Sequence, residues 1–214
     1  PLPKTCIIVE SMTSKYIALS RDWLFNSVGK GDFTEPSDRL KMGSIIQRMI
    51  LARQKMALRH GNKTDYRFLE AIRGILLAGT EVVVDEEISF EQWMRRMLFT
   101  SFRDGKHSGW TPLRFAVYGQ HLKIAEELVR QGADINSPLA RPAMDKGFHF
   151  RGNTILQGIS LMADAPEAVS FLVRNKADVE RLDAKGNTAA HLACYGGHLD
   201  NLKVLLETQG PTAL

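Results

Sequence analysis

Three threonines set a frame that constrains the second half of this chain more than any other feature. Thr111, Thr154 and Thr188 each follow a glycine by two residues, in Gly109-Trp110-Thr111-Pro112-Leu113, Gly152-Asn153-Thr154-Ile155-Leu156 and Gly186-Asn187-Thr188. Their spacings are 43 and 34 residues. The first two copies close alike, at Gln131-Gly132-Ala133-Asp134-Ile135-Asn136 and at Lys176-Ala177-Asp178-Val179-Glu180. A segment repeated at such a period is one supersecondary unit that cannot bury its apolar face alone, so copies must stack. The expected architecture is a solenoid of stacked units.

The third copy is the clearest, reading DAKGNTAAHLACYGGHLDNLKVLLE from Asp183 to Glu207. It resembles the ankyrin repeat, with Gly186, Thr188, His191, Ala193, Gly197, His198 and Leu199 at the signature places. Ala189 and Ala190 stand where the family has Pro and Leu. The family period is about 33 residues, so one spacing fits and the other carries an insertion of about ten. The resemblance covers roughly residues 105–210, and the second copy diverges most. It implies an all-α helical solenoid with a short inner helix, a turn and a longer outer helix in each unit, and a role in protein binding with no intrinsic catalysis. In the family, the His after T-P-L bonds neighbouring loop backbone. His191 matches, whereas Arg114 and Gln157 hold that place upstream, so there the ladder is either broken or rebuilt. Mapped residue by residue, the family's variable contact places are His107, Ser108, Trp110 and Tyr118, then Arg151, Asn153 and Leu161, then Lys185, Asn187 and Tyr195. Aromatic side chains dominate interface energy when exposed, which favours Trp110, Tyr118 and Tyr195. The competing reading packs Trp110 and Tyr118 against adjacent units.

The residue types suit these positions. A glycine tolerates the sharp bend into each inner helix. A threonine hydroxyl can cap that helix, and Pro112 fits its first turn. Asp164-Ala165-Pro166 replaces the second unit's G-H turn, and Pro166 can open the helix that follows. Leu122, Ile124, Leu128 and Val129 form one outer-helix face, as Leu199, Leu202, Leu205 and Leu206 do in the last unit; both are expected core. Cys194 falls where a small buried residue is expected, and His121 and His198 read as structural imidazoles. Ser137 to Phe150 is the long inserted loop.

Upstream, residues 1–100 read as a divergent helical region, either a cap or degenerate repeats, and 101–214 as the repeat domain. Cys6-Ile7-Ile8-Val9, the Tyr16–Val28 stretch and the Gly29–Asp32 turn give no firm pattern. A helix begins at Ser37 or Asp38, carries Leu40, Ile45, Ile46, Met49, Ile50 and Ala57, and ends at Gly61. Another begins at Thr64 or Asp65, carries Phe68, Leu69, Ile72, Ile75 and Leu76, and closes at Gly79. Val82-Val83-Val84 reads as an extended link. Ser89 and Gln92 form a capping-box pattern before Phe90, Trp93, Met94, Met97 and Leu98.

Charge and composition exclude more than they assign. The chain has 28 basic and 24 acidic side chains, and the excess of +4 is too thin to imply nucleic acid. Asp38 to Arg73 holds nine basic and three acidic residues, a pattern that resembles calmodulin targets or membrane-surface helices; it leaves open a calmodulin-type target at 38–60, against a solvated helix face as the plainer reading. Two cysteines with no metal-spaced partners point to a reduced, intracellular setting, cytoplasm or nucleus. No run is long and apolar enough to span a bilayer, and no membrane contact is expected. No phosphate-cradling loop or catalytic pair stands out, and the repeat already accounts for His191 and Cys194. The sequence therefore reads as a non-enzymatic scaffold or adaptor with a protein partner, no cofactor, no metal and no small-molecule substrate. The alternative is a regulatory arm of a larger enzyme or channel.

Overall fold

The computed structural model describes residues 37–80, 82, 88–140 and 152–209. The expectations for residues 1–36, for Val83 and Val84, for the body of the inserted loop and for Arg151 fall outside them. Among the described residues there are ten helices and no strand. They are α1 (Ser37–Arg59), α2 (Lys63–Ala71), α3 (Arg73–Leu77), α4 (Phe90–Arg96), α5 (Pro112–Tyr118), α6 (Leu122–Arg130), α7 (Ile155–Met162), α8 (Pro166–Arg174), α9 (Ala189–Gly196) and α10 (Leu199–Gln209). The architecture is the all-α solenoid that the ankyrin resemblance implies.

Local chemistry starts each inner helix where the sequence placed it. Thr111, Thr154 and Thr188 are the N-caps of α5, α7 and α9, each accepting from the backbone N–H three residues on. In the second and third units Gln157 and His191 return a bond to the cap residue's own N–H, closing a capping box. Gly109 has φ 79°, and a Cβ there would collide with the Pro138 backbone. Only glycine allows both the left-handed conformation and the close approach of the two loops. The base of the inserted loop is tied down by Leu139 N–H to Asn153 O, Gly152 N–H to Leu139 O and Ala140 N–H to Ser108 O.

The inner helices form one row, with α5 against α7 and α7 against α9, while α8 packs on α10 in the outer row. Upstream, α2 packs on α5 and α4 on α6, occupying the places that an inner and an outer helix would hold. One hydrophobic core runs without a break from Ile46 in α1 to Leu205 in α10. Its upstream end is aromatic. Trp110 meets Phe68 edge-on at 5.8 Å between centroids and stacks on Phe115 at 5.4 Å, while Phe99 lies 5.9 Å from Phe115 and 6.1 Å from Trp93. Aromatic pairs of this kind add about 0.5–1.5 kcal/mol each beyond the area they bury. Arg67 stands over the Phe99 ring and donates to Met97 O and Leu98 O, capping the end of α4.

Several local expectations need correction. The second N-terminal helix is two helices, because the chain turns at Ile72; it starts from Asn62, whose side chain accepts from Asp65 N–H. Leu98 lies past the end of α4 with φ 55° and is exposed, as is Ile45 on α1. Leu199, Leu206 and Cys194 are exposed instead of buried, because no described element covers the open side of α9 and α10. The missing G-H turn of the second unit is rebuilt by the third. Fully buried Asn201 accepts from Ala165 N–H, donates to Ala163 O and gives its backbone N–H to Asp164.

Candidate functional site

The ladder position after each threonine cap decides which part of the solenoid is closed and which is open. In the first unit it is held by Arg114, which is fully buried. Its guanidinium donates to Gly109 O (2.7 Å), Ser137 O (2.8 Å), Asn153 O (3.0 Å), Thr154 O (3.2 Å) and the Tyr118 hydroxyl (2.9 Å). Five donors meet neutral oxygens from both sides of the unit boundary. In the second unit Gln157 donates to Arg181 O (2.7 Å) and Asn187 O (3.1 Å) of the third. The ladder is rebuilt with different donors.

His191 holds the same place in the third unit. Its Nδ1 accepts from the Thr188 N–H at 3.1 Å, which leaves the proton of a neutral ring on Nε2. His191 is exposed, and among the described residues nothing accepts from that N–H. The loop before it is held by Asp183, which accepts from the backbone of Lys185 and from the backbone and side chain of Asn187. Burial pushes the Asp183 carboxyl upward, but the hydrogen bonds from Asn187 and Lys185 outweigh it and hold the group below its ordinary value.

The ten contact places taken from the sequence separate into two sets. Trp110, Tyr118, Asn153 and Leu161 are buried inside the stack and are not available to a partner as it stands. Trp110 is enclosed by the Phe68 and Phe115 rings, Tyr118 accepts from Arg114, and Leu161 offers its carbonyl to His198 at 3.3 Å. His107 and Lys185 are exposed, Ser108 and Asn187 are half-buried, and Arg151 falls outside the described residues. Tyr195 is 60% exposed, whereas Tyr118 and Leu161 at the same place in the earlier units are 0% and 1% exposed. The same break appears on the outer helix, where Leu172 is 0% and Leu206 is 50% exposed. His191, Cys194, Tyr195, Leu199 and Leu206 are thus exposed on the third unit, a set that sequence reasoning treats, apart from Tyr195, as interior or unremarkable.

A groove of about 410 Å³ lies beside the first unit, between the Phe102–Thr111 loop and the Gln131–Ser137 turn. Its charged lining is Arg103, Lys106 and Asp134, with no paired acid and base. Among the described residues no group of three His, Cys, Asp or Glu side chains is placed to hold a metal ion. No described helix is long and apolar enough to cross a membrane.

Comparison with known proteins agrees with this geometry. The family model for the ankyrin repeat matches residues 108–138, and that for ankyrin repeats (3 copies) matches residues 140–213. The chain is similar to transient receptor potential cation channel subfamily V member 4 of Homo sapiens and of Mus musculus, 31% identical over 105 residues. That match covers 46% of this chain and 12% of the channel. It is also similar to a putative palmitoyltransferase ZDHHC13 of Danio rerio, 29% identical over 121 residues, covering 45% of this chain and 19% of that protein. The chain therefore spans about an eighth to a fifth of the length of these relatives.

Proposed function

Residues 108–213 belong to the ankyrin repeat family, and on that premise we propose that the chain is a protein-binding scaffold whose partner engages the exposed loop tips and the exposed face of inner helix α9. The observation that carries this reading is Tyr195, an aromatic left 60% exposed at a place buried in both earlier units. The contact surface is built from Tyr195 and His191 on α9, with Lys185 and Asn187 on the adjoining loop and His107 and Ser108 on the first unit's loop. An aromatic anchor beside a free N–H donor suits a polypeptide that brings an apolar side chain and a carbonyl oxygen. The setting is intracellular, most simply cytoplasmic.

The experiment is affinity capture with the full chain, identification of the bound protein, and titration of that protein against variants. Tyr195→Ala should weaken binding by about 2 kcal/mol, some thirty-fold, as loss of an aromatic anchor does. Glu126→Ala on the outer helix α6 should leave the affinity unchanged. Equal affinities for Tyr195→Ala and the parent chain would refute this surface.

A second reading has its own support in the relatives, a channel and a putative palmitoyltransferase matched over a small share of their length. Under it these repeats form a regulatory arm of a larger enzyme or channel. The full-length coding sequence decides between the two.

A further inference from the structure

The longest helix carries an unbalanced charge that the repeats do not use. Helix α1 lies on α2 and α3 through Ile46, Met49, Ile50 and Ala57, all buried. Its outward side, read at helical spacing, aligns Lys41, Arg48, Lys55 and Arg59, all exposed. Beside them Leu51 and Leu58, two turns apart, are 53% and 43% exposed. The only acidic residue on the helix is Asp38, at its first turn, paired with Lys41 at 2.9 Å. Arg48, Lys55 and Arg59 have no carboxylate partner among the described residues; Arg48 reaches only the Ser44 carbonyl, at 3.4 Å.

We propose that the outward face of α1 docks on an anionic lipid bilayer surface, with Arg48, Lys55 and Arg59 on the headgroups and Leu51 and Leu58 in the interface. The chemistry favours a bilayer over other anionic partners. Two exposed leucines in the stripe suit an apolar boundary and would be left against water on a phosphate backbone, and stacking aromatics are absent from it. The reverse side of the helix is fixed to α2 and α3, so no partner can wrap it as it would a free amphipathic target without undocking it. A flat surface needs no complementary groove. Long cationic side chains reach headgroups while their stems stay on apolar material. Such docking departs from the sequence-based expectation of no membrane contact, and concerns adsorption at the surface instead of a spanning segment.

The test is co-sedimentation of the full chain with phosphatidylcholine vesicles that contain phosphatidylserine, against vesicles of phosphatidylcholine alone. Binding is expected to the anionic vesicles only, and to fall as salt is raised. Lys55→Gln with Arg59→Gln should weaken it about thirty-fold, the effect of removing two cations that each contribute about fivefold near an anionic surface. Leu51→Ser with Leu58→Ser should weaken it further while leaving the circular dichroism spectrum unchanged. Failure to bind anionic vesicles, equal binding to neutral ones, or full binding by the double glutamine variant would each overturn the proposal. So would tighter, saturable binding of a single-stranded oligonucleotide or an acidic helical peptide that the same glutamine variant abolishes.

Discussion

Arg114→Ala gives the sharpest test of how the first two units are joined. The arginine is wholly buried, and no carboxylate is among the groups that accept from it. Two of its acceptors, Gly109 O and Ser137 O, take no other hydrogen bond among the described residues. Asn153 O and Thr154 O also receive backbone N–H groups, from Leu139 and Gly158, so they keep a partner after the substitution. Leaving a buried acceptor unpaired costs about 1–3 kcal/mol, so two of them cost about 2–6 kcal/mol. Some of this is recovered, because the variant no longer desolvates a charge. The net expectation is a loss of about 3 kcal/mol. In urea titration of a protein this size, with a slope near 3 kcal/mol per molar, that moves the midpoint down by about 1 M. Arg114→Met keeps most of the apolar stem without the donors and should lose nearly as much. Arg114→Gln restores the donor type found at Gln157 and should lose about half. A methionine variant as stable as the parent, or more stable, would refute the reasoning: the buried charge would then cost as much as its hydrogen bonds return.

Gly158 on α7 faces the Tyr118 hydroxyl so closely that an added Cβ would collide with it. Gly158→Ala should destabilise by about 2 kcal/mol in thermal or urea unfolding, and Tyr118→Leu in the same chain should recover part of that loss. Asp183 has a carboxyl pKa held below its unfolded value, so its contribution is complete above about pH 3.9 and disappears as pH falls through the lower folded value. Asp183→Asn should flatten that part of the stability profile, measured as melting temperature against pH, and a variant profile parallel to the parent's would contradict it. Asn201→Ala removes the bonds to Ala163 and Ala165 that replace the second unit's turn, and should cost about 2–3 kcal/mol with faster amide exchange at Ala165.

The frame of the solenoid was legible because it rests on local chemistry. Threonine caps, positive-φ glycines at Gly109, Gly152 and Gly186, and Pro166 at a helix start each act within a few residues of their own position. What was not legible depends on neighbours. Trp110 and Tyr118 occupy places that the family leaves variable, yet here α2 supplies Phe68 and α5 supplies Arg114, and both aromatics are enclosed. Arg114 itself reads as a loss from the signature until Ser137 and Asn153 are seen converging on it from residues 23 and 39 positions away. Cys194, Leu199 and Leu206 were expected inside because their counterparts are inside. They are exposed because no described element packs over that side of α9 and α10, and neighbours of that kind are not encoded in residue type. Asn201 gave no signal, since its role is to satisfy a turn whose own residues are missing.

The central claim is that the three units share one register and that the third leaves exposed, among the described residues, what the other two bury. Thiol reactivity at matched places tests it directly, in a Cys6→Ser background. Cys194 is compared with Ser160→Cys and Val117→Cys, which hold the same place in the second and first units and are fully buried. Cys194 should react with a small aromatic disulfide at the rate of an exposed thiol in the folded protein, while the thiols at 160 and 117 react only as it unfolds. Equal protection of all three, or fast labelling at 160 and 117 in a chain that remains helical, would contradict the account.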